Sequence, residues 1–181
     1  RTLYRKFELV AGKDNLGYAL FPVDIDQRVR RFDDSLATGD QEVSTLVGQM
    51  LRGLGMKTGS GFIDMSVGAS YRYVPLHEVT QRYEDGDVEG LRKIFGGKPV
   101  LLGTVLPAED RLPLPVNLAA WEDNGNLVPG VLVHAQTLRA FLNQGLVQPV
   151  ANSFVWLGIF IGALWWLWAS SQRAKWIVVV I

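Results

Sequence analysis

Hydrophobic and polar positions along this 181-residue chain follow three rhythms. The first recurs every three or four residues. In GDQEVSTLVGQMLRGLGM, Val43, Leu46, Val47, Met50, Leu51 and Leu54 keep that spacing, which lines one face of an amphipathic helix. Asp40 is placed to cap its start, and Gly53 and Gly55 to stop it. The same reading predicts a short helix over 75–83 opening on Pro75, another over 87–95 ending at Gly96-Gly97, and a longer one over 131–143. The longer helix carries Val131, Ala135, Leu138, Phe141 and Leu142 on its apolar side and ends near Gly145.

The second rhythm is that of strands. Candidates fall at 18–21 and 28–32, either side of the turn-prone Asp24-Ile25-Asp26. A third covers 62–67, where Asp64 needs a partner if buried. The clearest is KPVLLGT, 98–104, a compact apolar run between Gly-Gly and a polar loop. Such a run suits a central strand buried on both faces, as in parallel sheets. Helix, strand and helix in this order predict an α/β fold, a mixed or parallel sheet with flanking helices.

The third rhythm is none at all. Residues 154–169 contain no charge, and with their flanks they make an apolar stretch of about 21 residues, about 31 Å as a helix. That length matches the hydrocarbon layer of a bilayer, and the apolar character runs around every face. Five of the six tryptophans lie in this tail, at Trp156, Trp165, Trp166, Trp168 and Trp176, as expected for indole rings at the two headgroup zones. A buried core helix is the plain alternative; the missing polar face argues for a membrane span over 150–170. The only charges in the tail are Arg173 and Lys175. Positive charges favour the cytoplasmic side, so 171–175 reads as a cytoplasmic loop and 1–148 as an extracytoplasmic domain on a cell's inner (plasma) membrane. Residues 176–181, WIVVVI, read as the start of a second span. The chain begins at Arg1 without Met or a leader-like segment and reads as a fragment whose domain lacks its N-terminal part.

Charge removes one class of partner. Basic and acidic residues balance at 18 each, and residues 1–150 are slightly acidic, so no basic surface suggests nucleic acid. There is no cysteine, which excludes disulfides, thiolate metal sites and cysteine nucleophiles. The two histidines are isolated, and neither a Gly-x-Ser-x-Gly elbow nor a phosphate-binding glycine loop occurs; Gly59-Ser60-Gly61 lacks the flanking strand and helix. Neither a cofactor nor a metal is expected, and an enzymatic role for this stretch is disfavoured.

Three residues stand out as a candidate ligand site. Asp110 and Arg111 follow the predicted strand 98–104, and ligand crevices of open α/β sheets form at such carboxyl ends. A carboxylate beside a guanidinium fork can grip a small polar ligand. The plainer reading has Asp110 bracing the loop while Arg111 pairs locally. His134 borders the apolar side of the last helix, where it either meets the Asp110 loop as a pH- or ligand-sensitive group or is a satisfied core residue. His77, next to Glu78, reads as solvated.

Several of these stretches form one pattern. GYALFPVDIDQRVRRF, then YRYVPLHEV, then GGKPVLLGTVLPAEDRLPLPV and PGVLVHAQTLRAFLNQG, with an apolar hairpin directly behind, resemble the CHASE2 family of extracytoplasmic sensor domains over about residues 8–146. The resemblance implies a sensory input domain that answers an unknown small-molecule or protein signal. It further implies membrane helices in a lipid bilayer and, commonly, a homodimer. Beyond the membrane it implies a cytoplasmic output such as a class III adenylate or guanylate cyclase, a histidine kinase or a Ser/Thr kinase. The alternative from another class is a membrane-anchored binding or scaffold protein without catalytic output; an anchored hydrolase acting through Asp110 and His134 is a third.

Overall fold

The helices fall close to where periodicity places them, while the sheet differs. In the computed structural model, residues 10–12, 15–34, 37–38, 41–42, 44–122 and 126–171 are described. The chain divides into two units, Arg1–Val147 and Gln148–Ile181. In the first, β1 (Arg31–Asp33) leads to β2 (Ala37–Thr38), β3 (Gln41–Glu42), α1 (Leu46–Gly53) and β4 (Ser60–Phe62). Then come α2 (Leu76–Glu84), α3 (Val88–Phe95), β5 (Arg111–Pro113), β6 (Leu127–Pro129) and α4 (Gly130–Asn143).

The sheets among the described residues are three antiparallel pairs: β1 with β4, β2 with β3, and β5 with β6. Parallel pairing is reduced to single bridges, Tyr18 to Thr45 and Tyr71 to Ala119. The expected mixed or parallel sheet is therefore corrected to small antiparallel sheets within an α/β fold. The physical reason lies at 98–104. KPVLLGT has strand character but finds no neighbouring strand among the described residues, and it runs as irregular chain with Val100 and Leu102 largely exposed. The strand expected at 62–67 also stops early, because the Asp64 carboxylate accepts from the N–H (2.8 Å) and hydroxyl (2.6 Å) of Ser66 and makes a turn. Of the opening pair, 18–21 keeps only the bridge at Tyr18. The Asp24–Asp26 turn is present, closed by the Gln27 N–H to the Asp24 carbonyl (2.8 Å), and delivers Arg28 toward β1.

Helix ends follow local chemistry. Thr45 caps α1, its hydroxyl accepting from the Gly48 N–H at 3.0 Å, in place of the predicted Asp40, which lies outside the described residues. Asp87 caps α3 through the Gly90 N–H at 2.8 Å, and Pro75 occupies the cap position of α2. Gly145 ends α4 in a left-handed conformation (φ +83°) that only glycine adopts without strain.

The core gathers Val29, Phe32, Val47, Leu51, Ile63, Leu114, Val128, Val133 and Leu138. Each such side chain contributes about 1.5–3 kcal/mol on burial. The helix α4 is buried over a broader arc than its apolar residues predict. Gln136 and Thr137 are fully buried, whereas Leu142 is about half exposed. Both polar groups are satisfied: Gln136 Nε2 donates to the carbonyls of Asp64 (2.7 Å) and Val67 (3.1 Å), and Thr137 Oγ1 to the Val133 carbonyl (2.8 Å). Arg139 adds bonds to the Val67 and Ala69 carbonyls and stacks on the Tyr71 ring at 3.7 Å. The 64–71 loop is thus fastened along α4.

The second unit holds α5 (Asn152–Ser171), 20 residues long and about 30 Å by helical rise. Its span Asn152–Ala169 is long and apolar enough to cross a membrane, and none of it is buried within the protein. Of the predicted cytoplasmic loop 171–175, Ser171 is the last residue of α5, and 172–175, like the second span predicted at 176–181, lie outside the described residues.

Candidate functional site

The N-terminal end of α4 brings two of the three predicted site residues together. The β5–β6 hairpin pairs Arg111 with Pro129, which sets the preceding residue, Asp110, against the first residue of the helix. The Asp110 carbonyl accepts from the Gly130 N–H at 2.7 Å. Its carboxylate lies on Gly130 so closely that a Cβ there would come within 2.6 Å of Oδ2. Asp110 holds φ at +45°, a left-handed conformation sparse for non-glycine residues and best tolerated by Asp and Asn. A carboxylate there also complements the positive end of the helix dipole.

His134 sits one turn further along α4 and is 6% exposed. Its imidazole packs on the Phe21 ring, centroids 4.6 Å apart, and Nδ1 has no hydrogen-bond partner. Burial lowers its pKa from 6.5 to about 4, against an opposing pull from the Asp110 charge. His134 is therefore a neutral imidazole in the core near neutral pH, with one nitrogen unsatisfied.

Arg111 follows a different plan. Its guanidinium has five N–H donors, and the structure gives each a partner. Nε donates to the Leu106 carbonyl (3.2 Å), and Nη1 to Glu122 Oε2 (2.7 Å) and the Leu127 carbonyl (2.9 Å). Nη2 donates to the Val105 carbonyl (3.1 Å) and Glu122 Oε1 (2.8 Å). Glu122 is held below the usual carboxylate range, chiefly by the Arg111 hydrogen bonds against the cost of burial. A ligand carboxylate can reach this fork only by displacing Glu122, so Arg111 acts here as a brace between the 105–106 loop and the β5–β6 hairpin.

Glu122 escaped sequence reasoning because nothing in AAWEDNG signals a partner eleven positions away. Phe21 was equally silent. Asp34 was missed too: it accepts from the Thr45 N–H (3.0 Å), Thr45 Oγ1 (2.8 Å) and Ser44 Oγ (3.0 Å), and pairs with Arg52 at 2.8 Å. Elsewhere an open groove of about 390 Å³ runs between Arg30, Ile63, Met65, Val116 and Val147, sharing no residue with the Asp110–His134 cluster. Among the described residues no group of His, Asp and Glu is arranged to hold a metal ion. His77 is exposed, as expected.

A sensory domain followed by an apolar helix is the arrangement the sequence motifs implied, and comparison with known families agrees. The CHASE2 domain matches residues 1–172, nearly the whole chain. The chain belongs to the CHASE2 family. No curated protein and no solved structure matches it. CHASE2 domains are extracellular sensor domains of membrane signalling receptors, and the family is sensory, not catalytic. The CHASE2 match is wider than the 8–146 carried by the motifs and takes in all of α5.

Proposed function

We propose that this CHASE2 chain is the input module of a membrane receptor, displayed outside the cytoplasm. A small-molecule or protein signal binding near Asp110 and His134 biases α4. The bias then passes through 144–151 to a membrane-spanning α5 and on to a cytoplasmic output, such as a nucleotide cyclase, a histidine kinase or a Ser/Thr kinase. The observation that carries this reading is the course of α4 within a chain of a sensor family. Its first turns hold Gly130 and His134 beside Asp110, and a short linker joins its far end to a 20-residue apolar helix. A packed helix transmits a small displacement from one end to the other. A ligand shifts that equilibrium only by its difference in affinity between two conformations.

The chain has no native cysteine, so single cysteines report topology cleanly. A cysteine at Ser70 reacts with a membrane-impermeant maleimide in intact cells, and one at Ala174 reacts only after the membrane is opened. The reverse pattern would place the domain in the cytosol and end the proposal. For the relay, His134→Leu in the full-length receptor changes the activity of the cytoplasmic output. A full-length protein with no such output is instead an anchored binding or scaffold protein.

A further inference from the structure

The open groove beside the β1–β4 pair, about 390 Å³, falls within the size range of small-molecule sites, about 300–1,000 Å³. Ile63, Met65, Val116 and Val147 give it apolar walls, and two opposite charges, Arg30 and Asp64, border it. The main chain sets these charges near each other: the Ile63 N–H donates to the Arg30 carbonyl at 2.8 Å, and Asp64 is the next residue. Yet Arg30 and Asp64 form no ion pair with one another. Each keeps hydrogen-bonding groups free. Arg30 Nη1 donates to Asp24 Oδ2 (3.0 Å) and Asp26 Oδ1 (2.8 Å), and Nη2 to Asp26 Oδ2 (2.6 Å). The Nε–H and the second Nη2 N–H share one edge of the guanidinium and have no partner among the described residues. That edge is a complete bidentate fork for a carboxylate. Asp64 uses Oδ1 alone, for the N–H and hydroxyl of Ser66, and its Oδ2 has no partner among the described residues. The Ser66 hydrogen bonds hold Asp64 below the usual carboxylate range, so it is ionised at neutral pH.

We propose that this groove binds an aliphatic α-amino acid as its zwitterion. The ligand carboxylate takes the free edge of Arg30, the ammonium takes Asp64, and the side chain lies against Ile63, Met65, Val116 and Val147. An α-amino acid carries both charged groups on one carbon, which suits two charges set by neighbouring residues of one ladder. Charge complementarity selects it. A purely anionic ligand brings a like charge to Asp64, and a purely cationic one to Arg30. The site also touches the exit toward α5. Val147 is clasped to Phe62 by two main-chain hydrogen bonds, N–H to carbonyl in each direction at 2.9 Å, and α5 opens at Asn152. A ligand seated against Val147 tightens that clasp, because it binds the closed arrangement better than the open one. The groove shares no residue with Asp110 and His134, and the proposal requires neither the relay through α4 nor an output domain.

Calorimetry on the full chain in detergent micelles tests this with L-leucine and with isocaproate and isoamylamine, analogues that each lack one of its charges. Leucine binds, and each analogue binds about tenfold more weakly or worse. Val116→Trp fills the groove and abolishes leucine binding with helical content unchanged. Asp64→Asn keeps an acceptor for Ser66 but removes the charge, so leucine then binds no more tightly than isocaproate. Leucine also slows hydrogen exchange at the Phe62 and Val147 amides, and unchanged exchange overturns the link to the exit segment. No leucine binding overturns the site. An analogue that binds as tightly as leucine shows that one charge is not read, and overturns the zwitterion. Binding that survives Val116→Trp lies outside the groove and overturns the proposal too.

Discussion

His134 shows how one side chain links burial to pH. Its folded pKa of about 4 lies below the ordinary 6.5, so between these values the unfolded chain binds the proton more readily. Stability is therefore full above about pH 6.5 and declines as pH falls toward 4, by about 3 kcal/mol for this residue. Chemical denaturation of the full chain in detergent at pH 7.5 and pH 4.5 measures the difference, and His134→Phe flattens that part of the profile. Arg111 makes the opposite case, a charge whose partners are all internal. Glu122→Gln keeps the shape but removes the counter-charge, and costs about 1–2 kcal/mol in a denaturant titration. His134 was legible as a candidate because residue type and position along a helix are properties of the sequence, whereas Asp110 was chosen for following a strand at 98–104 that the structure does not form. That Arg111 is filled by Glu122 was not, since the pair forms only when the β5–β6 hairpin folds back on itself.

Elements were legible in proportion to how local their causes are. The helices α2 and α3 appear within a residue or so of their expected bounds, because Pro75, Asp87 and Gly96 act on the adjacent main chain. The start of α1 moved from Asp40 to Thr45 because Thr45 is fixed twice: its hydroxyl caps the helix while donating to Asp34. Thr45→Ala loses both bonds and lowers stability by about 1–2 kcal/mol. Gly48→Ala costs at least as much, since a Cβ would collide with the Asp34 carboxylate that Thr45, Ser44 and Arg52 hold in place. Thermal melts of the two variants rank these effects. Strand 98–104 failed for the complementary reason. A strand needs a neighbour, and no local pattern says whether one is present.

At the scale of the whole molecule, the two units distribute their apolar side chains differently. Residues up to Val147 bury Val29, Phe32, Val47 and Leu114 in an ordinary core, while α5 keeps every apolar residue of its span on the outside. A lipid environment satisfies the second arrangement as water satisfies the first. The full chain is expected to sediment with membranes and to resist alkaline carbonate, and deletion of 152–171 to release it. A full chain that stays monodisperse in plain buffer contradicts the membrane assignment.

The sequence by itself determined the helices, their stops, the apolar tail and the membership of a sensor family, because each rests on neighbours a few residues apart or on ordered motifs. Tertiary structure decided the pairing of strands into antiparallel sheets, the filling of the Arg111 fork and the burial of Gln136 under the 64–69 loop. It also decided the meeting of Asp110 with the first turn of α4. Those outcomes depend on groups tens of residues apart reaching one another, and only the packed chain sets which of them do.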